Sequence, residues 1–538
     1  MTATLPAAPP AAASAGAPAG APGYVRFRRS RPDLLLCGAL LAAVLLVQGW
    51  NITRFPSLGD DEGTYLAQAW AVQQGRGLAH YTYWYDHPPA GWIQLAVLTR
   101  LPAWLSPGGM AVAPMRSVML VAAGASAVLL YVLARRLGLP RWAAGLAMAL
   151  FGLSPLSVVE QREIFLDNLA VPWMLLAFCL ACSPSRHLWH HFAAGLAAAV
   201  AVLSKETMLV VLPALLVTLW RHSHRDTRKF AVTGAVTACV LAGLSYPLFA
   251  LLNRELLPGP GHVSLVEGVR YQLHRPGSGF LLDPGSGAHQ VLDSWLYYDR
   301  VLPLGGAAAA LLLLCARRRS ATARSLTGPA LAVGLLALVA LRPSGYLPAM
   351  YVIQALPFLA LALAGAAAAT VRAAAGRTTG GRAAAWRRAA PAGLALAAAA
   401  WVLPHWYEGD RTALTVDAAR PYRQAAAWAR DRIADPAHTR VLVDDALWLD
   451  LVHAGFTPRT GAIWFYKADL DPAVARTLPH GWRDIDYVIA SPTVRRDAVR
   501  LPVVRDALAH SAPVAVFGRG PDRVEIRRTR PTAHPTPR

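Results

Sequence analysis

Residues 60–89 read DDEGTYLAQAWAVQQGRGLAHYTYWYDHPP and follow directly on the first long apolar run of the chain. Three consecutive acids begin this stretch, and an Asp-His-Pro-Pro turn ends it. Ionisable groups close to hydrophobic runs cost free energy, because charge is poorly solvated there. In a largely apolar chain such groups are typically functional. The stretch is therefore the first candidate for a chemical site, and the rest of the chain has to explain where it is held.

The composition predicts a mainly α-helical, polytopic membrane protein. Of the 538 residues, 55% are hydrophobic and only 15% are charged, and the mean hydropathy is +0.35. These values are too apolar for a soluble chain of this length. The net charge of +21 would suit nucleic acid if it were gathered on a soluble surface, but much of it lies in short loops between apolar runs, so we expect no nucleic-acid partner. The five cysteines lie in or beside apolar runs and predict neither disulfides nor a zinc site.

Hydropathy predicts about eleven transmembrane helices, although several of the runs are shorter than the ~20 residues that a span needs. The runs are residues 34–50, 112–134, 142–157, 169–182, 192–203, 208–220, 230–252, 301–315, 325–341, 346–370 and 389–403. Arginines before the first run place the N-terminus in the cytoplasm and residues 60–89 outside. The loops predicted to be cytoplasmic are nearly all positive, and an odd number of spans puts the C-terminal segment outside.

Three regions follow from this pattern. Residues 1–33 are expected to be a disordered cytoplasmic N-terminus, because Ala, Pro and Gly dominate them. Residues 34–404 form the transmembrane domain, with exoplasmic catalytic loops at 51–111, 158–168 and 253–300. Residues 405–538 are predicted to form a small exoplasmic α/β domain with a basic tail. Its predicted elements are a helix over 418–433, a helix over 445–456, and strands at 441–443, 487–490, 514–517 and 524–526.

The acids Asp60, Asp61 and Glu62 begin a pattern typical of a short amphipathic helix. A carboxylate there could accept the proton of an acceptor hydroxyl group. The alternative is that the acids only cap the helix, since Asp and Glu favour helix N-termini. Three acids in a row exceed what a cap needs, which favours a functional role.

The turn Asp86-His87-Pro88-Pro89 is rigid, because two prolines fix the backbone as it enters the next helix. Such a turn would hold the imidazole or the carboxylate in one direction. As a bare turn it is equally compatible with a purely structural role.

Residues 160–168 mix both signs of charge at a membrane boundary. Arg162 either contacts a phosphate or forms an ion pair with Asp167 that only shapes the loop, and in the first case Asp167 belongs to the acidic site.

Lys205 is one of only three lysines in a chain that otherwise uses arginine, and it interrupts a long apolar stretch. The positive-inside rule does not explain an ammonium group at the exoplasmic edge of the membrane, and a phosphate is an obvious counter-charge. Snorkelling, or pairing with Glu206, is the structural alternative.

The long loop 253–300 predicts either a mobile lid or a partly disordered connection. Arg270 and Arg275 are weaker candidates for closing on a phosphate. Arg342 and Tyr346 at a span end are similar candidates, with an ordinary interfacial turn as the alternative.

The order of these motifs resembles that of a known family. DDEGTYL, GRGL, YDHPPAGW, QREIFLDN and LSKETMLVVLP follow one another over residues 60–213. This arrangement is similar to the polyprenyl-phosphate-sugar-dependent glycosyltransferases of the C-type fold. Within that group it looks most like the bacterial relatives of protein O-mannosyltransferases and of lipid A aminoarabinose transferase. The resemblance is motif-specific over residues 34–213, and beyond that it is a match of span pattern only.

The resemblance implies roles for individual residues. Asp61 would be the general base, with Asp60 as an extra acid that shares or replaces this role and Glu62 as a supporting acid. Asp167 would be a second active-site carboxylate, and Arg162 and Lys205 would contact the carrier phosphate. Some relatives have Lys where this chain has His87, and a neutral imidazole adds less charge to that part of the site.

The expected function is the transfer of a sugar from a polyprenyl-phosphate carrier to an exoplasmic lipid, glycan or protein acceptor, with inversion. The expected location is a bacterial plasma membrane, with cell-wall glycosylation as one setting. A transporter or flippase of a lipid-linked sugar is the alternative, but it should carry ionisable residues within its spans and repeat-related halves. No phosphate-binding or dinucleotide motif predicts a soluble cofactor, and acidic side chains alone leave a divalent cation open.

Overall fold

The computed structural model describes residues 30–529 except 78–80, 82–84, 107–108, 260–261, 376–399 and 401. The part before residue 400 is helical. Its α-helices are α1 (Arg31–Gly49), α2 (Asp60–Gln73), α3 (Ala90–Leu98), α4 (Arg100–Leu105), α5 (Val112–Met115), α6 (Met119–Arg136), α7 (Arg141–Leu153), α8 (Pro155–Arg162), α9 (Leu166–Ala181), α10 (Leu188–Ser204), α11 (Leu212–His222), α12 (Arg228–Gly243), α13 (Ser245–Leu252), α14 (Leu265–Leu273), α15 (Gly287–Tyr298), α16 (Gly306–Ala316), α17 (Ala321–Ser325), α18 (Thr327–Ala340) and α19 (Leu356–Ala375). Tighter helical turns lie at Arg116–Val118, Glu206–Val211 and Ala349–Gln354, and a wider one lies at Val301–Gly305.

Four helical stretches in the described residues are long and apolar enough to cross a membrane, and two further pairs qualify if each bent pair counts as one span. The pair α7 and α8 bends by 58°, and the pair formed by α15 and residues 301–316 bends by 106°. Helices α9, α10 and α18 are apolar but shorter. The chain is a mainly helical, multi-pass membrane protein, but the number eleven is not confirmed. Most of the predicted span 389–403 lies outside the described residues.

Small residues let the apolar helices approach closely. Helix α10 packs along both α9 and α12. A Cβ atom on Gly195 of α10 would lie 2.0 Å from the carbonyl oxygen of Ala235 in α12, so only glycine allows this crossing. Where lipid replaces water, such close backbone packing is a main source of helix association. Helix α1 packs against α6 and α7 in the same bundle.

The C-terminal part begins with a helical segment at 402–415 and continues as a mixed α/β unit. Its helices are α20 (Arg420–Arg432), α21 (Asp445–His453), α22 (Lys467–Leu470), α23 (Pro472–Ala475), α24 (Pro492–Asp497) and α25 (Pro502–Ala509), and its strands are β1 (Val441–Val443), β2 (Ala462–Trp464), β3 (Tyr487–Ala490), β4 (Ser511–Phe517) and β5 (Val524–Thr529). The strand order is β2-β1-β3-β5-β4, with β1 parallel to β2 and β3 and with β5 antiparallel to β3 and β4.

The predicted strands are all present, and β4 begins three residues earlier than predicted. Strand β2 was not predicted. It has only three residues, and nothing in so short an apolar run separates it from a loop. It also lies between a turn and a helix, so few residues are left in which a strand pattern could be recognised.

This C-terminal unit sits directly on α2, the helix that carries the three acids. Helix α21 packs along α2. The hydroxyl of Thr64 donates to Asp445 Oδ2 (2.5 Å), and the Trp70 ring meets the Trp448 ring edge-on at 5.6 Å. Gly63 makes this contact possible, since a Cβ atom there would lie 2.0 Å from the carbonyl oxygen of Asp445.

We expect Gly63→Ala to loosen the C-terminal unit from α2. The added methyl group meets backbone, which cannot move aside like a flexible side chain, and such overpacking costs about 1–3 kcal/mol. Thermal unfolding of the purified protein in nanodiscs should show a lower Tm, and limited proteolysis should cut the C-terminal unit faster. Gly234→Ala in α12 is the matched control, because a Cβ atom there has nothing within 4 Å. Equal Tm values for the two variants would contradict this contact.

Candidate active site

The first turn of α2 is held by Glu62. The backbone N–H of Gly59 donates to Glu62 Oε2 (3.0 Å), so the Glu62 side chain reaches back and caps the start of the helix. All three acids lie in this first turn, where the helix dipole favours negative charge. Glu62 therefore has the helix-capping role that was the structural alternative for these acids.

Glu62 also forms a buried ion pair with Arg116. The Arg116 guanidinium donates through Nε to Oε1 (2.8 Å) and through Nη2 to Oε2 (2.5 Å), and both side chains are fully buried. Arg116 further donates to the carbonyl oxygens of Pro56 and Ser57, and Ile164 N–H donates to Glu62 Oε1 (3.0 Å). Every oxygen of Glu62 is engaged. It ties α2 to the turn before α6 and to the turn before α9, and it supports the site as a structural clamp.

Asp60 and Asp61 point to different surroundings. Asp61 is exposed, and it makes no hydrogen bond or ion pair to any described residue. Asp60 faces the C-terminal unit. Burial and the carboxylates of Asp444 and Asp445 raise the pKa of Asp60 well above its ordinary value, while Thr493 donates a hydrogen bond to it. Asp61 is therefore the exposed acid of this pair, and Asp60 is the acid held against the C-terminal unit.

Lys205 lies where the helical backbone breaks between α10 and the turn Glu206–Val211, with extended angles (φ −152°, ψ 115°). Its Nζ is 3.2 Å from His87 Nε2 and 3.8 Å from Asp167 Oδ2. Burial lowers the pKa of Lys205, but Glu206, Asp167, Asp61 and Asp86 more than offset this effect, so its pKa lies above its ordinary value. The side chain is therefore a buried ammonium ion.

His87 lies between Lys205 and Glu206. Its Nδ1 is 2.9 Å from Glu206 Oε2. An ammonium group can only donate, so Nε2 accepts from Lys205 and Nδ1–H donates to Glu206. Burial would raise the pKa of Glu206, but His87 and Lys205 lower it to about 2, so this carboxylate is ionised. The sequence indicated Glu206 only as an alternative partner of Lys205; its adjacency to that lysine was the available signal.

Asp167 completes the cluster from the first turn of α9. It is 1% exposed, and its Oδ1 accepts a hydrogen bond from Gln354 Nε2 (2.7 Å). Gln354 also donates to Thr207. Asp167 Oδ2 faces Lys205 and has no hydrogen bond within the described part of the chain. Sequence reasoning missed Gln354, since a lone amide in an apolar run carries no motif.

Arg162 does not belong to this cluster, and its predicted role is corrected. Its guanidinium is fully buried and donates to the carbonyl oxygens of Ala413 (2.9 Å) and Val47 (2.6 Å). Neither a phosphate contact nor the alternative ion pair with Asp167 describes this geometry. Two backbone carbonyls accept from the guanidinium instead, the Asp410 carboxylate offsets part of its buried charge, and Arg162 ties α8 to α1 and to the segment 402–415.

The Asp86–His87 turn is covered by α14. The carbonyl oxygen of Asp86 accepts from Gln272 Nε2 (3.0 Å), and that of His87 accepts from Tyr246 Oη (3.2 Å). Asp86 Oδ1 is buried without a hydrogen bond to any described residue. The loop 253–300 was predicted to be a mobile lid or a partly disordered connection; its described residues include the helices α14 and α15, and α14 contacts the Asp86–His87 turn through Gln272.

The remaining phosphate candidates lie on this covering layer. Arg270 is exposed on α14. Tyr346 is 45% exposed, and the Arg275 guanidinium lies 3.7 Å above its ring. The structure thus brings Arg275 and Tyr346 together, away from direct contact with the Lys205 cluster. Among residues 30–529 apart from the gaps given above, no group of three or more His, Cys, Asp or Glu side chains is arranged to hold a metal ion.

Comparison with solved structures identifies the architecture. ArnT from Cupriavidus metallidurans, crystallised with undecaprenyl phosphate, superposes with a TM-score of 0.57 at 17% identity, over 93% of this chain and 98% of that one. The oligosaccharyltransferase of Archaeoglobus fulgidus in its apo form superposes with a TM-score of 0.53 at 13% identity, over 90% of this chain and 74% of that one. The chain has the fold of the C-type glycosyltransferases.

Further comparisons agree with the C-type assignment. Archaeal AglB of Archaeoglobus fulgidus, in complex with an inhibitory peptide and a dolichol-phosphate, superposes with a TM-score of 0.53 at 12% identity, over 92% of this chain and 74% of that one. Residues 86–248 match the family model of dolichyl-phosphate-mannose-protein mannosyltransferases. A search of curated protein sequences gave no match. The resemblance inferred from the motifs is thereby confirmed, and the matched segment contains the His87, Asp167 and Lys205 motifs.

We expect Glu62→Gln to destabilise the protein, because it leaves the buried Arg116 guanidinium with no anionic partner. Breaking a buried pair in this way costs about 3–5 kcal/mol. Thermal unfolding in nanodiscs measures the effect as a lower Tm. Asp61→Asn is the control in the same helical turn and should leave Tm unchanged. A Glu62→Gln protein with the Tm of the wild type would show that the clamp does not hold α2.

Proposed function

We propose that the protein is an integral membrane glycosyltransferase that moves a sugar from a polyprenyl-phosphate carrier to an acceptor hydroxyl group. One observation carries this proposal above the others. The exposed carboxylate of Asp61 contributes to the raised pKa of Lys205, a buried ammonium ion that lies 3.2 Å from His87 Nε2 and 3.8 Å from Asp167 Oδ2. A base beside a fixed cation is what transfer from a phosphate leaving group requires.

In the proposed reaction, Asp61 accepts the proton of the acceptor hydroxyl as its oxygen bonds to the anomeric carbon. The bond between the anomeric carbon and the phosphate oxygen breaks, and its electron pair leaves with the phosphate. Direct displacement of this kind inverts the anomeric centre. Lys205 neutralises the charge that develops on the phosphate, and its fixed position costs little reorganisation during the reaction.

Asp167 and Gln354 support the phosphate side. Within the described part of the chain Asp167 Oδ2 accepts no hydrogen bond, and it lies 3.8 Å from Lys205 Nζ, so its charge helps to hold the ammonium group. Gln354 orients Asp167 through its other oxygen. Asp60 is assigned to the contact with the C-terminal unit. Arg270 and Tyr346 on the covering layer, and Asp86 in the turn beneath it, are further groups proposed to close the donor side.

We further propose the topology that the charges favour. The chain would cross a bacterial plasma membrane about eleven times, with the N-terminus in the cytoplasm and the site and the C-terminal unit outside. The acceptor would be a lipid, a glycan or a protein, as in the predicted cell-wall glycosylation. The relatives crystallised with undecaprenyl phosphate or dolichol-phosphate support a lipid-phosphate donor. A transporter or flippase is not favoured, since the matching family model and structures are transferases.

Asp61→Asn should abolish transfer while the protein stays folded. General-base catalysis typically contributes 10²–10⁴-fold, so we expect a loss of about that size. The measurement is release of polyprenyl phosphate, with radiolabelled sugar appearing on the acceptor, from a panel of synthetic polyprenyl-phosphate sugars in nanodiscs. Asp60→Asn is the matched control and should retain most activity. Full activity of Asp61→Asn would remove it as the base, and parallel reactions with EDTA test for a divalent cation.

Lys205→Gln should weaken the donor interaction, since a charged hydrogen bond to phosphate contributes about 1.5–3 kcal/mol. We expect the donor KM to rise by about tenfold or more. Lys229→Gln is the matched control, because Lys229 is an exposed lysine at the start of α12. Steady-state kinetics at several donor concentrations give the comparison. Unchanged kcat and KM in Lys205→Gln would place the phosphate elsewhere.

A further inference from the structure

His87 is a buried imidazole with a charged partner at each nitrogen. It is 9% exposed, Nε2 lies 3.2 Å from Lys205 Nζ, and Nδ1 lies 2.9 Å from Glu206 Oε2. This arrangement places a group that titrates near neutral pH in direct contact with the cation proposed to meet the phosphate. Neither the fold nor the proposed reaction requires an imidazole here.

The charged and titratable groups around His87 come from each element packed against it. They are Lys205 and Glu206 from the break after α10, Asp86 from its own turn, Asp167 from α9 and Tyr65 from α2, whose ring centroid is 6.0 Å from that of the imidazole. Tyr246 contacts only the His87 carbonyl oxygen. Burial and Lys205 lower the pKa of His87, but Glu206 and Asp86 more than offset them, so its pKa lies above its ordinary value.

The neutral imidazole is held by its hydrogen bond from Lys205. When a phosphate anion binds beside Lys205, the ammonium N–H groups turn toward it, because a charge-assisted bond to phosphate is stronger than one to a neutral nitrogen. Nε2 would then be a buried acceptor without a donor, which costs about 1–3 kcal/mol. The anion also cancels part of the Lys205 field that opposes a positive charge on the ring.

We propose that His87 takes up one proton from solution at Nε2 when the donor phosphate binds, and that Glu206 is the positioning residue that accepts Nδ1–H and balances the new charge. The proton adds to the imidazole nitrogen, and no bond of the donor breaks in this step. The resulting imidazolium has an N–H group at each nitrogen, one for Glu206 and one for the phosphate. The inference rests on the proposed function, because it takes the phosphate to bind at Lys205.

The sign of the pH dependence follows from linkage. Because the bound state holds one proton more than the free protein, affinity is highest below the pKa of His87 in the free protein. Above that pKa the dissociation constant rises by about tenfold per pH unit, until the pKa of the bound state is passed. A purely structural His87 would give no such slope.

Isothermal titration calorimetry of the full-length protein in nanodiscs tests the proposal. The probe is undecaprenyl methyl phosphate, a phosphodiester with no group of its own that titrates near neutral pH. Titrations at pH 8 in buffers of different ionisation enthalpy give the number of protons taken up. We expect uptake approaching one proton for the wild type, and none for His87→Gln together with an affinity that no longer depends on pH.

Variants of Glu206 and Glu267 distinguish a positioning role of Glu206 from a purely structural one. Glu206→Gln keeps a hydrogen-bond acceptor for Nδ1–H but removes the charge, so we expect its proton uptake to fall by at least half. Glu267→Gln, an exposed carboxylate on α14, should match the wild type. Binding by the wild type without proton uptake, or equal uptake by His87→Gln, would overturn the proposed proton uptake at His87 and leave the proposed function standing. Absence of probe binding by the wild type would overturn both the proposed donor site and the proposed proton uptake at His87.

Discussion

The buried ion pair between Glu62 and Arg116 is the constraint on which the site depends. An ion pair with no exposure is tolerable only when its remaining hydrogen-bonding groups are satisfied. Here the carbonyls of Pro56 and Ser57 and the N–H groups of Gly59 and Ile164 satisfy them. The same contacts fix three chain segments relative to one another. Asp61 is the neighbour of Glu62, so the clamp determines where this proposed base is presented.

The second constraint comes from the C-terminal unit, which covers the other face of α2. Its contacts with Gly63, Thr64 and Trp70 leave Asp61 as the exposed acid while Asp60 is turned toward Asp444 and Asp445. Two adjacent acids therefore have different surroundings, and those of Asp60 raise its pKa. The unit is thus part of the architecture that positions Asp61, the proposed base.

Much of this was predictable from the sequence, and the failures have physical reasons. The apolar runs located the helices, and the motifs pointed to Asp61, His87, Asp167 and Lys205, of which the last three meet in one cluster. The structure directs Arg162 elsewhere, because its buried guanidinium donates to the backbone carbonyls of Ala413 and Val47, which carry no sequence signal. Glu206 and Gln354 act through contacts between segments far apart in the chain. The number of spans stayed open because several helices are short or bent.

A structure determined by cryo-electron microscopy in nanodiscs with bound polyprenyl phosphate tests the central claim most directly. The claim is that Asp61 and the Lys205 cluster form one site for the carrier phosphate and the acceptor. We predict density for the phosphate within hydrogen-bonding distance of Lys205 Nζ, on the side that faces Asp61. A phosphate bound only at the arginine-rich loops near residues 221–229, with the Lys205 cluster unchanged, would contradict the account.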